Sequence, residues 1–122
     1  MQVEQVRELV RTVLEQAPEF DGRTELFGQV PMISVAGGSV SMVELVVERG
    51  CPPAPVGDGP VPGACWAWAQ DGSPIGSVLV WVDGGYLSSL ELGWVTDDPP
   101  AELPRPPRLT TDTMTPPDTT AT

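Results

Sequence analysis

The sequence predicts an α+β domain, with one N-terminal helix packed on an antiparallel sheet of about five strands. Three observations carry this. From Gln2 to Ala17, apolar residues recur at three- and four-residue spacing. From Gln29 to Val95, short runs rich in Val, Leu and Trp alternate with Gly-rich turns. Within that region, Ile75 to Thr96 (IGSVLVWVDGGYLSSLELGWVT) reads as two strands joined by one tight turn. The domain is expected to span residues 1–109, followed by a disordered Pro/Thr-rich tail over 110–122.

The helix is expected over Gln2–Ala17. Val3, Val6, Val10, Val13, Leu14 and Ala17 form its apolar stripe, and Glu4, Glu8, Arg11 and Glu15 its polar side. Pro18 ends it, because proline has no N–H to donate to the preceding turn. Asp21–Gly28 reads as a turn-rich connector anchored by Leu26 and Phe27. Gln29–Ala36 reads as a strand. Pro31 confines it to a sheet edge or moves its start to Met32. Gly37-Gly38 is expected to turn the chain back into a strand over Ser39–Glu48. Met42, Leu45 and Val46 also fit helical spacing, but the valines and the preceding glycines favour strand.

Gly50–Gly63 holds five prolines and several glycines, and is expected to be an extended surface loop. Ala64–Gln70 alternates as a strand, and Asp71-Gly72-Ser73-Pro74 turns it into the central hairpin. In that hairpin, a loop of Asp83-Gly84 or of Gly84-Gly85 produces the same two faces. One carries Ile75, Leu79, Trp81, Tyr86, Leu90, Leu92 and Trp94. The other carries Val78, Val80, Val82, Leu87, Ser89, Glu91 and Gly93. The first is bulkier and is expected to be the core, with Trp66 and Trp68 joining it. From Asp97 onward prolines exclude helix and most strand, and beyond Leu109 little remains to bury.

The formal net charge is −11, with six Arg, no Lys and no His. Such acidity opposes binding to nucleic acid or to an anionic membrane surface. The absence of Lys, with many Ala, Gly, Pro, Val and Arg, points to coding from a GC-rich genome. Without His or Lys there is no Ser-His triad, Cys-His pair, Schiff-base lysine or P-loop lysine. No ligand set for zinc or an EF-hand is present, so no metal or other cofactor is expected. Glu44, Glu48 and Glu91 remain as carboxylates for acid–base work, and each also fits a solvated sheet face. No catalytic residue is assigned.

Cys51 and Cys65 bracket the Pro/Gly loop. A cytoplasmic location is expected, and there they stay unbridged. The segment Leu103-Pro104-Arg105-Pro106-Pro107-Arg108 has PxxP spacing, and is expected to be a linker or a cover for a sheet edge. Trp66, Trp68, Trp81, Tyr86 and Trp94 are the candidate ligand or interface residues, since aromatics are enriched at both kinds of site.

Asp83 to Glu91, with Gly-Tyr-Leu-Ser-Ser-Leu-Glu, followed by Thr96-Asp97-Asp98-Pro99-Pro100 and Leu103-Pro104, resembles the closing hairpin of small uncharacterised bacterial proteins. The resemblance implies no activity and transfers no site residue. The doubled Gly84-Gly85 departs from the single Asp-Gly-Tyr of that pattern.

The expected function is a non-enzymatic acidic protein-interaction module with a basic protein partner, of which an inhibitor or immunity role is a subclass. The alternative is a small-ligand binder using an aromatic pocket between helix and sheet. Self-association is compatible with either.

Overall fold

Fourteen consecutive residues with an apolar stripe form the first helix, α1, Val3–Gln16, and the computed structural model describes the chain over residues 2–48 and 50–117. Val6, Leu9, Val10, Val13 and Leu14 are buried along α1. Leu9 extends the expected stripe by one row. The connector after Pro18 contains a short helix, α2, Arg23–Gln29, where only turns were expected. Tertiary contacts explain it. Arg23 reaches back, its Nε donating to Leu14 O at 2.9 Å and its Nη2 to Glu15 O at 3.0 Å. It thereby caps the carbonyl end of α1, which has no basic residue of its own in the last turn.

A 3-10 turn at Val30–Met32 absorbs Pro31, and β1 then runs Ile33–Ser39 at a sheet edge. It pairs with β2, Met42–Val47. The reversal sits at Val40-Ser41, three residues beyond the expected Gly37-Gly38. Gly38 instead lies in the strand at φ 104°, beside a register shift between Val35 and Gly37. A Cβ there would come within 2.1 Å of Met42 O, so only glycine fits.

The remaining strands are β3, Gly59–Pro60, β4, Trp66–Trp68, β5, Pro74–Asp83, β6, Tyr86–Trp94, and β7, Leu109–Thr110. Among the described residues seven strands, against about five expected, form one antiparallel sheet in the order β1-β2-β6-β5-β4-β7. β3 shares the β4 edge of β5, further along it. Thr110 lies in β7 rather than in a tail. Residues 111–117 hold no helix or strand, and 118–122 lie outside the described residues. No helix among the described residues is long and apolar enough to cross a membrane.

The central hairpin closes through Gly84-Gly85, at φ 61° and 85°, as a two-residue turn with both central residues left-handed. Its core face is the reverse of the expected one on β5. Val78, Val80 and Val82 are buried, while Leu79 and Trp81 point away. On β6, Leu87, Leu90 and Leu92 are all buried. The reason is a bulge. Trp81 pairs with Ser89 and Val82 with Leu87, so Ser88 is an extra residue that shifts the alternation between Leu87 and Leu90. Strict alternation cannot place both leucines inside. With the bulge, three β-branched residues of β5 face three leucines of β6 beneath α1 and α2.

Gln29 is the polar residue inside this core, fully buried at 0% exposure. β2 follows β6 only from Met42 to Glu44 and then parts from it. In the space left, Leu87 N–H donates to Gln29 Oε1 at 3.0 Å. Gln29 Nε2 donates to Gly85 O at 2.9 Å and to Pro52 O at 3.2 Å. The Pro/Gly loop is therefore stitched down, not free on the surface. Ala54 N–H donates to Gly85 O and Val61 N–H to Val80 O, each at 2.8 Å, and Ala54 and Val61 are buried.

Gln29→Ala would leave the Leu87 N–H unsatisfied and a void beside it, at a cost of about 2–4 kcal/mol. Chemical denaturation of this variant, beside the exposed control Gln5→Ala, checks it. Equal midpoints for the two variants would show that Gln29 holds nothing together.

Candidate functional site

Cross-strand partners share a face, so the register lays out the side of the sheet turned away from the helices. From the β1 edge, it carries Ser39, then Met42, Glu44 and Val46 of β2, then Ser89 and Glu91 of β6. Leu79 and Trp81 of β5 follow, then Trp66 of β4 and Thr110 of β7. Pro60 of β3 lies opposite Trp81. None of these side chains belongs to the core cluster. Met42 and Val46 are exposed, Val46 by 52%, and Leu79, Trp66 and Trp81 are half-buried.

The predicted site residues are divided among three places. Trp66, Trp68 and Trp81 fall together on or beside this outer face. Trp81 Nε1 donates to Glu91 Oε1 at 2.9 Å, which fixes the ring across the face. Glu91 was expected on the opposite side from Trp81; the Ser88 bulge brings it across. Trp68 is 5% exposed and lies outside the main core, its Nε1 donating to Thr110 Oγ1 at 2.8 Å. Trp66 Nε1 is buried and has no hydrogen-bond partner among the described residues. Tyr86 stands at the hairpin tip against the core edge, its hydroxyl donating to Cys51 O at 3.0 Å. Trp94, expected in the core, is 39% exposed at the end of β6. The space between α1 and the sheet holds aliphatic side chains, and no Trp belongs to that cluster.

Glu44 and Glu91 are diagonal neighbours on adjacent strands of the outer face, since Glu44 pairs with Ser89 and Met42 with Glu91. Glu48 is exposed beyond the end of β2. Among the described residues, no three His, Cys, Asp or Glu side chains are grouped closely enough to hold a metal ion. The proline segment is built into the domain. Leu103 and Pro104 are buried, and Arg108 Nη2 donates to Ala69 O. A 3-10 turn at Pro106–Arg108 delivers the chain into β7, so the segment extends the sheet past β4.

Both cysteines are free. Cys65 is buried, its thiol directed at Gln16 Oε1 at 3.5 Å, and burial pushes its pKa from the ordinary 9.0 up to about 12.

No protein-family model, curated protein or solved structure matches this chain.

Sequence reasoning assigned the Trp-rich side of the sheet to the core, and so missed Met42, Val46 and Leu79 as members of an open face. Alternation in β2 was available as a signal. For Leu79, the bulkier-face argument misled.

Two predictions follow from these positions. Trp81→Ala removes a half-exposed ring and should cost clearly less stability than Leu90→Ala, a buried deletion worth about 2–5 kcal/mol. Denaturant titration of both checks this. Equal losses would return Trp81 to the core. Cys65 is protonated in the folded chain at pH values where the unfolded thiol ionises. Folding stability should therefore fall through Cys65 from about pH 9 towards pH 12. Subtracting the profile of Cys65→Ala from that of the native chain isolates this slope, and a flat difference would refute it.

Proposed function

We propose that this protein is a non-enzymatic interaction module that takes a basic protein partner onto the open face of its sheet. The observation that carries this reading is the face itself. Leu79 and Trp81 of β5 and Met42 and Val46 of β2 lie on it, with Ser89 and Glu91 of β6 between the two pairs, and none of them belongs to the core under the helices. Large aromatic and aliphatic side chains on an open face are the usual anchors of an interface. Its charged side chains are Glu44 and Glu91, and the whole chain carries −11. A cationic partner surface complements both, and the long-range field would speed its approach.

The reading also fits a sequence without His or Lys. The carboxylate of Glu91 is engaged with the Trp81 indole, an arrangement that orients a ring for contact rather than a proton for transfer.

A photoreactive amino acid at position 79, introduced in the native host, should cross-link the partner. The complex remade from purified components should then weaken with added salt. Leu79→Asp and Trp81→Ala should each raise its Kd by at least about tenfold, with the fold intact by circular dichroism. A complex indifferent to both substitutions would overturn the proposal.

A further inference from the structure

A second feature lies at the β3 edge of the sheet, where Pro60 and Val82 line it, and its chemistry does not depend on the outer face. Between the Pro/Gly loop and the start of α2 runs an open groove of ≈ 380 Å³. Leu26, Val61 and Val82, all buried, line its depth, and the half-buried Phe20 and Val56 its walls. The charged side chains that line it are both carboxylates, Asp21 and Asp58. We propose that this groove binds a small organic cation, with an aryl or alkyl body seated on the apolar floor and an ammonium group between Asp21 and Asp58.

The Pro/Gly loop forms one side of the groove. Here it is held in place at both ends. Ala54 N–H is bonded to Gly85 O and Val61 N–H to Val80 O. In between, Gly84 N–H donates to Asp58 Oδ1 at 2.8 Å, which leaves the other oxygen of Asp58 for a ligand. Val56 is pressed against α2, its Cγ1 only 2.6 Å from the position of a Cβ on Gly22. The groove is thus formed before any ligand arrives, which lowers the ordering cost of binding. Its volume lies in the range of small-molecule sites, and an apolar lining with few polar groups is their usual composition. The two carboxylates and the charge of −11 select the sign of the ligand.

Phenethylamine, phenethyl alcohol and hydrocinnamate share an aryl body and differ in charge, and they serve as the probes. Backbone amide shifts of the full chain, followed by NMR, read the binding. The amine should bind saturably, with shifts centred on Leu26, Val56, Asp58 and Val61, about fivefold more tightly than the alcohol. Hydrocinnamate should bind least. In the double variant Asp21→Asn, Asp58→Asn, amine affinity should fall to that of the alcohol, while alcohol binding stays unchanged. Asn at position 58 keeps an acceptor for the Gly84 N–H, so the loop anchor survives. Equal binding of amine and alcohol to the native chain would overturn the proposal. So would the absence of saturable shifts, or shifts centred on Leu79 and Trp81 instead. The last result would move the ligand to the sheet face and leave the macromolecular reading of that face to its own test.

Discussion

The carboxamide of Gln29 does the work of a missing strand segment. In an antiparallel hairpin, alternate residues direct their backbone groups towards or away from the partner strand. Tyr86 closes the turn opposite Asp83, so Gly85 O and Leu87 N–H face outward, where β2 no longer follows. A side-chain amide has the same donor and acceptor as a peptide group, and Gln29 presents them to these two atoms. Its second N–H reaches Pro52 O and draws the loop into the same arrangement. One buried side chain therefore joins α2, the hairpin tip and the loop. Unpaired, the same groups would be costly in an apolar interior. That cost makes the junction specific, because few alternative packings satisfy all of them.

The bulge at Ser88 has the second-largest consequence. It lets both Leu87 and Leu90 turn inward against the valines of β5. As a result Trp81 and Glu91 meet on the outside, and the indole N–H finds an acceptor. A valine–leucine core is smaller and more regular than a tryptophan core, and α1 supplies valines and leucines to match it. The bulky aromatics are left to the open face, where their area can serve contact with another molecule.

The two faces of the sheet thus have different tasks. The inner one carries stability, together with the strap that runs from Leu103 through the Pro106–Arg108 turn into β7. The outer one combines apolar area with acidic groups. The groove under the Pro/Gly loop is built from the loop anchors that Gln29 and the hairpin tip provide, so the same junction shapes the candidate ligand site.

By itself the sequence determined what depends on local periodicity and on single-residue chemistry. The α1 stripe, its stop at Pro18, the strand character of the Val-rich runs and a tight turn within Asp83-Gly84-Gly85 all follow from the preferences of a few neighbouring residues. So does the set of chemistries excluded by the lack of His and Lys. Tertiary structure decided the rest. Seven residues of α2 are too few to be stable alone, and they are helical because Arg23 caps α1 and Leu26 is buried. The core face of the hairpin turned on one extra residue at position 88, and nothing in a Tyr-Leu-Ser-Ser-Leu run marks which serine bulges. In the sequence Gln29 reads as the polar first residue of a strand, two positions before Pro31. Its role exists only when β2 and β6 part and leave two backbone groups without partners, and hydrogen-bond satisfaction across a sheet is a property of the assembled fold rather than of any segment.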